Sequence, residues 1–197
     1  MIRFLSFFSL FLFLFSCSST TYRKLNYVQT AGLDFSKGKW LLGTIEVDAY
    51  VRKELTELVL KDLSTHLKER FSFSLKEKSL LLPVKVPFNP SKSEILDLKK
   101  GTGYDFYINI KCQDKRNDIS NFDYLAHDYY IKQMTFAIVF MEVYDLNQGT
   151  IIYKQGFYGA IDEDSGLSFS GPKRQILLGC YSRLMKDIEK RSIGVFH

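Results

Sequence analysis

Apolar residues spaced by two, or by three and four, divide most of the chain into strands and helices. Trp40 to Val47 is predicted to be the first strand, and Asp48 to cap the helix that follows. The apolar residues of this helix recur at intervals of three and four, which gives it one buried face. They are Val51, Leu55, Leu58, Val59, Leu63 and Leu67. From Phe71 to Leu75 apolar and polar residues alternate, which is typical of a half-buried strand.

The middle of the chain predicts a short helix followed by two strands. Ser91 and Glu94 have the spacing of a capping box, and the helix that they begin should end at Gly101. Tyr104 to Cys112 is the next predicted strand. Met134 to Tyr144 follows, and its central residues are apolar on both faces, which favours a central strand that is covered on both sides.

The last part of the chain predicts a hairpin and a long helix. Asp145 to Gly149 has the residue types of a tight turn, and Thr150 to Tyr158 should return as a strand. The helix after Pro172 has one apolar face, made of Ile176, Leu177, Cys180, Leu184 and Ile188. The fold class predicted is α+β: a mixed sheet of about five strands with two long helices and one short helix packed on it.

The N-terminus has the parts of an export signal. Arg3 precedes an apolar run from Phe4 to Phe15, and the small residue Ser16 stands just before Cys17. Such a run is too short to span a bilayer, which takes about 20 apolar residues. The alternatives are an ordinary secretory signal followed by a chance cysteine, or an uncleaved anchor.

Leu14, Ser16 and Cys17 resemble the lipobox of bacterial lipoprotein signals. The resemblance implies a diacylglycerol on the Cys17 sulfur, cleavage before Cys17, and an acyl chain such as palmitate on the new amine. Ser18 rather than Asp after the cysteine implies the outer membrane, by the sorting rule of some diderm bacteria. The protein is expected to face the periplasm. The predicted organisation is a signal peptide at 1–16, the lipidated cysteine with a flexible tether at 17–38, and a single globular domain at 39–197.

Composition excludes few partners but disfavours nucleic acid and metal. The formal charge is +5, and the basic residues are scattered, whereas nucleic-acid binding favours a concentrated basic stripe.

Cys112 and Cys180 remain after Cys17 is assigned to lipid. An exported protein can join them in a disulfide, but each also fits as a small buried apolar residue. No Cys and His stand close together, so no metal site is predicted.

Motifs of catalysis and cofactor binding are absent from the sequence. It contains no glycine-rich phosphate loop and no G-x-S-x-G, and His127 is the one histidine placed to act as a base. We therefore expect no enzyme activity and no cofactor.

The polar and aromatic stretch from Gln113 to Tyr130 is predicted to contact a protein partner. The candidate partner-binding residues are Phe122, Tyr124, Leu125, Tyr129 and Tyr130. Alternatively, some of these side chains fill the core of the protein's own domain.

Two short motifs and the order of elements over residues 39–191 resemble a group of bacterial envelope proteins. The motifs are the helix end at Gly101 to Asp105 and the hairpin from Glu142 to Tyr153. The group includes the N-terminal domain of TolB, the curli-secretion lipoprotein CsgG and the penicillin-binding-protein activator LpoB. The resemblance implies a domain that binds proteins. The predicted function is a lipid-anchored, periplasm-facing adaptor in envelope assembly or transport. The alternatives are a small-ligand or lipid-binding module, or an envelope hydrolase with scattered catalytic residues.

Overall fold

The computed structural model describes residues 20–25, 32–83, 85–113, 134–162 and 170–192. The strands are β1 (Thr21–Leu25), β2 (Trp40–Leu42), β3 (Phe71–Phe73), β4 (Phe106–Gln113), β5 (Met134–Asp145) and β6 (Thr150–Asp162). The helices are α1 (Ala49–Leu67), α2 (Lys92–Thr102) and α3 (Ser170–Arg191), with 3₁₀ turns at Lys68–Arg70 and Ser74–Lys76. No helix in these ranges is long and apolar enough to cross a membrane.

The strands form one mixed sheet in the order β1-β6-β5-β4-β2-β3. β1, β6, β5 and β4 pair antiparallel with one another, whereas β2 runs parallel to both β4 and β3. The predicted α+β fold with two long helices and one short helix is confirmed. The sheet has six strands rather than about five, because β1 adds one at the edge.

Strand β1 lies where the sequence predicts a flexible tether. Thr21–Leu25 pairs antiparallel with β6, and Leu33 and Phe35 are buried in the main core. The pattern of apolar residues does not predict β1, because its residues are mainly polar. An edge strand tolerates polar positions, since it is paired on one side only. The ring of Tyr22 nevertheless packs on α3, where the Arg183 guanidinium lies 3.4 Å from its centroid.

One face of the sheet carries α1 and α3. The predicted apolar stripes of both helices point into this core, with one exception: Leu58 is only partly buried. Cys180 is buried in the same core, 3.7 Å from the carbonyl oxygen of Ala137, and burial raises the pKa of its thiol to about 12. Cys112 and Cys180 are both free thiols in the structure. Cys180 therefore fits the interpretation as a buried apolar residue, whereas Cys112 packs against the same core and is only partly buried.

The opposite face carries α2, which begins as its sequence predicts but runs to Thr102, one residue beyond the predicted end at Gly101. The Ser91 side chain accepts from the Glu94 amide, and the Glu94 carboxylate accepts from the Ser91 amide, so the capping box is complete. The helix ends at Gly103, whose φ of +74° suits a residue without a side chain. Ile95 and Leu98 pack against the sheet on this face.

The hairpin and the central strand are also confirmed. Both faces of β5 are buried, and the Asp145 carboxylate accepts from the backbone amides of Asn147 and Gln148 at 2.9 and 3.0 Å. Gly149 has a φ of +69°, as the turn requires.

Local predictions around β2, α1 and β3 differ from the structure. Strand β2 ends at Leu42 rather than Val47, and only an isolated bridge at Glu46 continues its pairing. Asp48 precedes α1, but its side chain makes no capping hydrogen bond. Strand β3 ends at Phe73 rather than Leu75, and the described residues 80–83 and 85–86 form no strand. Pro83 and Pro87 supply no backbone donors there, which explains the irregular path.

Candidate functional site

A cavity lies at the carboxyl ends of two neighbouring parallel strands. The chain leaves β2 toward α1 on one face of the sheet, and it leaves β3 toward α2 on the other face. Because the two connections part in opposite directions, a crevice opens where both strands end. Ligands in open sheets with parallel strands bind at such points.

The cavity has a volume of about 500 Å³, within the range of ligand sites in proteins. Its walls combine polar side chains with leucines and a proline. They are Thr44, Glu46, Ser74, Leu75, Glu77, Leu80, Leu82, Pro83, Lys85, Val86, Tyr107 and Asn109. The floor is the second face of the sheet, and the outer wall is an irregular segment, residues 77–83 and 85–90, which we call the strap.

Glu46 is fixed in the cavity by its backbone. Its amide donates to the Ile110 carbonyl at 3.0 Å, and its carbonyl accepts from the Cys112 amide at 2.7 Å. This short extension of β2 pairing holds the residue beside β4. Its carboxylate is 24% exposed and lies 2.9 Å from the ammonium of Lys85 on the strap. The cavity therefore contains an anionic group at a defined place.

Tyr107 forms part of the floor. Burial and the nearby Glu46 carboxylate raise the pKa of its phenol, so the hydroxyl stays neutral at physiological pH. The hydroxyl lies over Gly43, where an added Cβ would come within 2.1 Å of the Tyr107 oxygen. Any larger residue at Gly43 would therefore displace the ring from the floor.

Ser74 presents a hydroxyl that the described part of the chain does not satisfy. The residue lines the cavity just after β3 and is buried, and its Oγ has no hydrogen-bond partner among the described residues. A buried hydroxyl without a partner costs free energy, and native proteins contain few of them. An unsatisfied group in a cavity wall is a natural contact for a ligand.

The strap is held at its middle by close backbone packing. The Leu81 amide donates to the carbonyl of Gly101 at 2.9 Å. A Cβ at Gly101 would come within 2.1 Å of the Leu81 carbonyl oxygen, so this approach requires glycine.

A buried polar network holds the other end of the strap. The Glu142 carboxylate accepts from the Asn89 amide and from the Tyr144 hydroxyl, each at 2.8 Å, and lies 3.0 Å from the Lys154 ammonium. The Asn109 amide nitrogen donates to the Val86 carbonyl at 3.2 Å. Strands β4, β5 and β6 thus fix the wall of the cavity from below.

The candidate site residues that the sequence predicts all lie outside the described residues. These are Cys17 for lipid attachment and, for partner contact, Phe122, Tyr124, Leu125, Tyr129 and Tyr130. They stay predictions. In the parts of the chain that the structure describes, no group of His, Cys, Asp and Glu side chains is arranged to hold a metal ion.

Sequence reasoning missed the cavity, although part of it leaves a signal. Tyr107 and Asn109 alternate with the inward Ile108 and Ile110 of the same strand, so the second face of β4 carries polar groups. Polar residues on a face that is buried indicate a site or a hydrogen-bonded network. Glu46, Ser74 and Lys85 leave no such signal, because they converge only through the fold.

Comparison with known proteins gives structural neighbours only. No family model matches the chain, and a search of curated proteins finds no relative. A PelC dodecamer structure from Paraburkholderia phytofirmans is 11% identical, with a TM-score of 0.41, over 83% of this chain and 96% of that one. The hypothetical protein CT253 from Chlamydia trachomatis is 11% identical, with a TM-score of 0.41, over 79% and 95%. Lipoprotein GNA1162 from Neisseria meningitidis is 12% identical, with a TM-score of 0.41, over 76% and 99%. A bacterial lipoprotein is thus among the neighbours.

Proposed function

We propose that this chain is a lipid-anchored envelope protein that acts by binding another protein rather than by catalysis. Lipid on Cys17 holds it at a membrane, in our proposal the periplasmic face of the outer membrane. The domain then contacts its partner, in envelope assembly or transport, at the mouth of the cavity. We call this contact surface the cavity rim and define it by Leu75, Leu81 and the side chains that line the cavity beside them.

Exposed leucines at the cavity rim carry the proposal. Leu75 is 69% exposed and Leu81 80% exposed, and both belong to segments that line the cavity. Large apolar side chains held in water lose the free energy that burial would supply, about 1.5–3 kcal/mol for each leucine. The charged side chains of Glu46, Glu77 and Lys85 line the same cavity. Protein interfaces usually have an apolar centre with polar residues around it.

The proposed contact at the cavity rim predicts how two substitutions affect partner binding. A Leu75→Ser and Leu81→Ser double variant should lose most of the crosslinked partner in intact envelopes, because a few buried apolar anchors carry most of an interface's energy. Its melting temperature should change little, since both side chains are exposed. Tyr50→Ser is the matched control, because Tyr50 is also a large exposed side chain, at 42%, but does not line this cavity. An unchanged crosslinking pattern in the double variant would contradict the proposed surface.

The anchor makes a second prediction. Cys17→Ser should move the protein from the membrane fraction to the soluble fraction, because stable anchoring needs two or more acyl chains and all of them depend on this cysteine. Mass spectrometry of the wild-type N-terminus should show a diacylglyceryl group on Cys17. An unmodified mature N-terminus at another residue would contradict the assignment. Recovery of the wild type with the inner membrane would contradict the outer-membrane placement alone.

The cavity also supports the alternative of a small-ligand module, because its volume is enough for a small molecule. The rim variants separate the two functions. If the chain is a small-ligand module, changing Leu75 and Leu81 should leave its crosslinking pattern unchanged. If it is the proposed adaptor, the same change should remove the crosslinked partner.

A further inference from the structure

We propose that the cavity receives a lysine side chain of the partner protein, whose ammonium binds the Glu46 carboxylate. The inference rests on the proposed function, since it names the chemistry of the partner at the cavity rim. Three properties of the cavity lead to it: the sign of its charge, the ammonium that already occupies it, and the division between its apolar and polar walls.

The charge of the lining favours a cation. The lining contains two carboxylates, those of Glu46 and Glu77, and one ammonium, that of Lys85. The Asn109 amide nitrogen, a donor, is already used by the Val86 carbonyl at 3.2 Å and the Tyr144 hydroxyl at 3.1 Å. Beside hydroxyls that can donate or accept, the lining therefore has one carboxylate more than it has ammonium groups, and an ammonium, which only donates, matches it.

The Lys85 side chain shows that an ammonium fits beside Glu46. Its Nζ lies 2.9 Å from Glu46 Oε2, yet the side chain is 64% exposed. Exposed ion pairs of this kind contribute about 0.2–1 kcal/mol, so a second ammonium that is better enclosed can displace Lys85 at little cost. Lys85 thus holds the place of the partner's lysine while the cavity is empty.

The walls separate into a part for the stem of the side chain and a part for its end. Leu80, Leu82 and Pro83 of the strap offer apolar contact to four methylene groups, and lysine stems bury in this way while the charge stays hydrated or paired. The buried Oγ of Ser74, which has no hydrogen-bond partner in the described part of the chain, can accept from the same ammonium. A lysine would thereby satisfy two groups of the cavity at once.

The test measures cavity chemistry directly with a lysine analogue. The mature full-length chain in detergent micelles is titrated with N-acetyl-lysine methylamide, and the amide resonances of Ser74 and Leu82 are followed. Glu46→Gln should weaken binding about tenfold through loss of the charged hydrogen bond. Lys85→Met should strengthen it about two- to fivefold by removing the competing ammonium. The neutral N-acetyl-norleucine methylamide is the matched control and should not bind.

Three outcomes would overturn the inference: equal binding of the norleucine analogue, unchanged lysine binding in Glu46→Gln, or no lysine binding even in Lys85→Met. Each variant is accepted only if its melting temperature is close to that of the wild type. Failure here is distinct from failure of the proposed function. If the leucine variants lose the partner but the lysine analogue does not bind, the adaptor stands and the lysine is wrong. If the analogue binds while the leucine variants keep the partner, the cavity binds an ammonium but the proposed contact surface is wrong.

Discussion

Replacing Lys154 by methionine is expected to lower the free energy of unfolding by about 3 kcal/mol, because breaking a buried ion pair leaves an uncompensated charge. Glu142 is fully buried, and the Lys154 ammonium 3.0 Å away, 27% exposed, is its counter-charge. The same change should loosen the strap, since the Glu142 carboxylate also holds the Asn89 amide. Chemical denaturation at constant pH measures the free energy of unfolding.

The control is an exposed ion pair of similar length. Lys100 lies 2.8 Å from Asp97 on α2, and both side chains are largely exposed. Lys100→Met should change stability by less than about 1 kcal/mol. A double variant, Lys154→Met with Glu142→Gln, should recover part of the loss because no buried charge remains. If Lys154→Met proves as mild as Lys100→Met, the Glu142 network does not stabilise the domain as described.

Truncating Leu184 to alanine should lower the free energy of unfolding by about 2–5 kcal/mol. Leu184 lies on α3 and is completely buried between this helix and the sheet. Two contributions make up this loss. The removed leucine atoms no longer contribute the hydrophobic free energy of their burial, and the cavity that they leave has its own cost. Thermal or chemical unfolding of the purified domain measures it.

Two leucines of α1 provide the internal comparison. Leu55 is completely buried and should behave like Leu184, whereas Leu58 is only partly buried and its truncation should cost less. The sequence alone assigns both to the apolar stripe and does not distinguish them. Equal losses at Leu55 and Leu58 would show that the helix is rotated relative to the arrangement described here.

Periodicity predicted most of the fold because the long elements bury one continuous face. The stripes of α1 and α3, the capping box at Ser91 and the turn at Asp145 are each determined by residues close in sequence. Strand β1 was missed for a different reason. Its pairing with β6 connects residues about 135 apart, and nothing local in its polar sequence requires a strand.

The candidate site could not be predicted in the same way. Its anionic group follows β2, its unsatisfied hydroxyl follows β3, and its floor belongs to β4, so only the parallel pairing of these strands brings them together. Glycine at Gly43 and Gly101 permits two close approaches that make the cavity, yet an isolated glycine in a sequence indicates a turn as readily as a contact.

Protein binding at the cavity rim is the central claim, and site-specific photo-crosslinking tests it most directly. A photoreactive amino acid is placed at Leu81, which is 80% exposed, and in a separate variant at Tyr50 as the control. After illumination of intact envelopes, position 81 should form a discrete crosslinked band with one partner protein, and position 50 should not. A band of equal strength from both positions, or none from position 81 while whole-envelope crosslinking still captures the partner, would contradict the account.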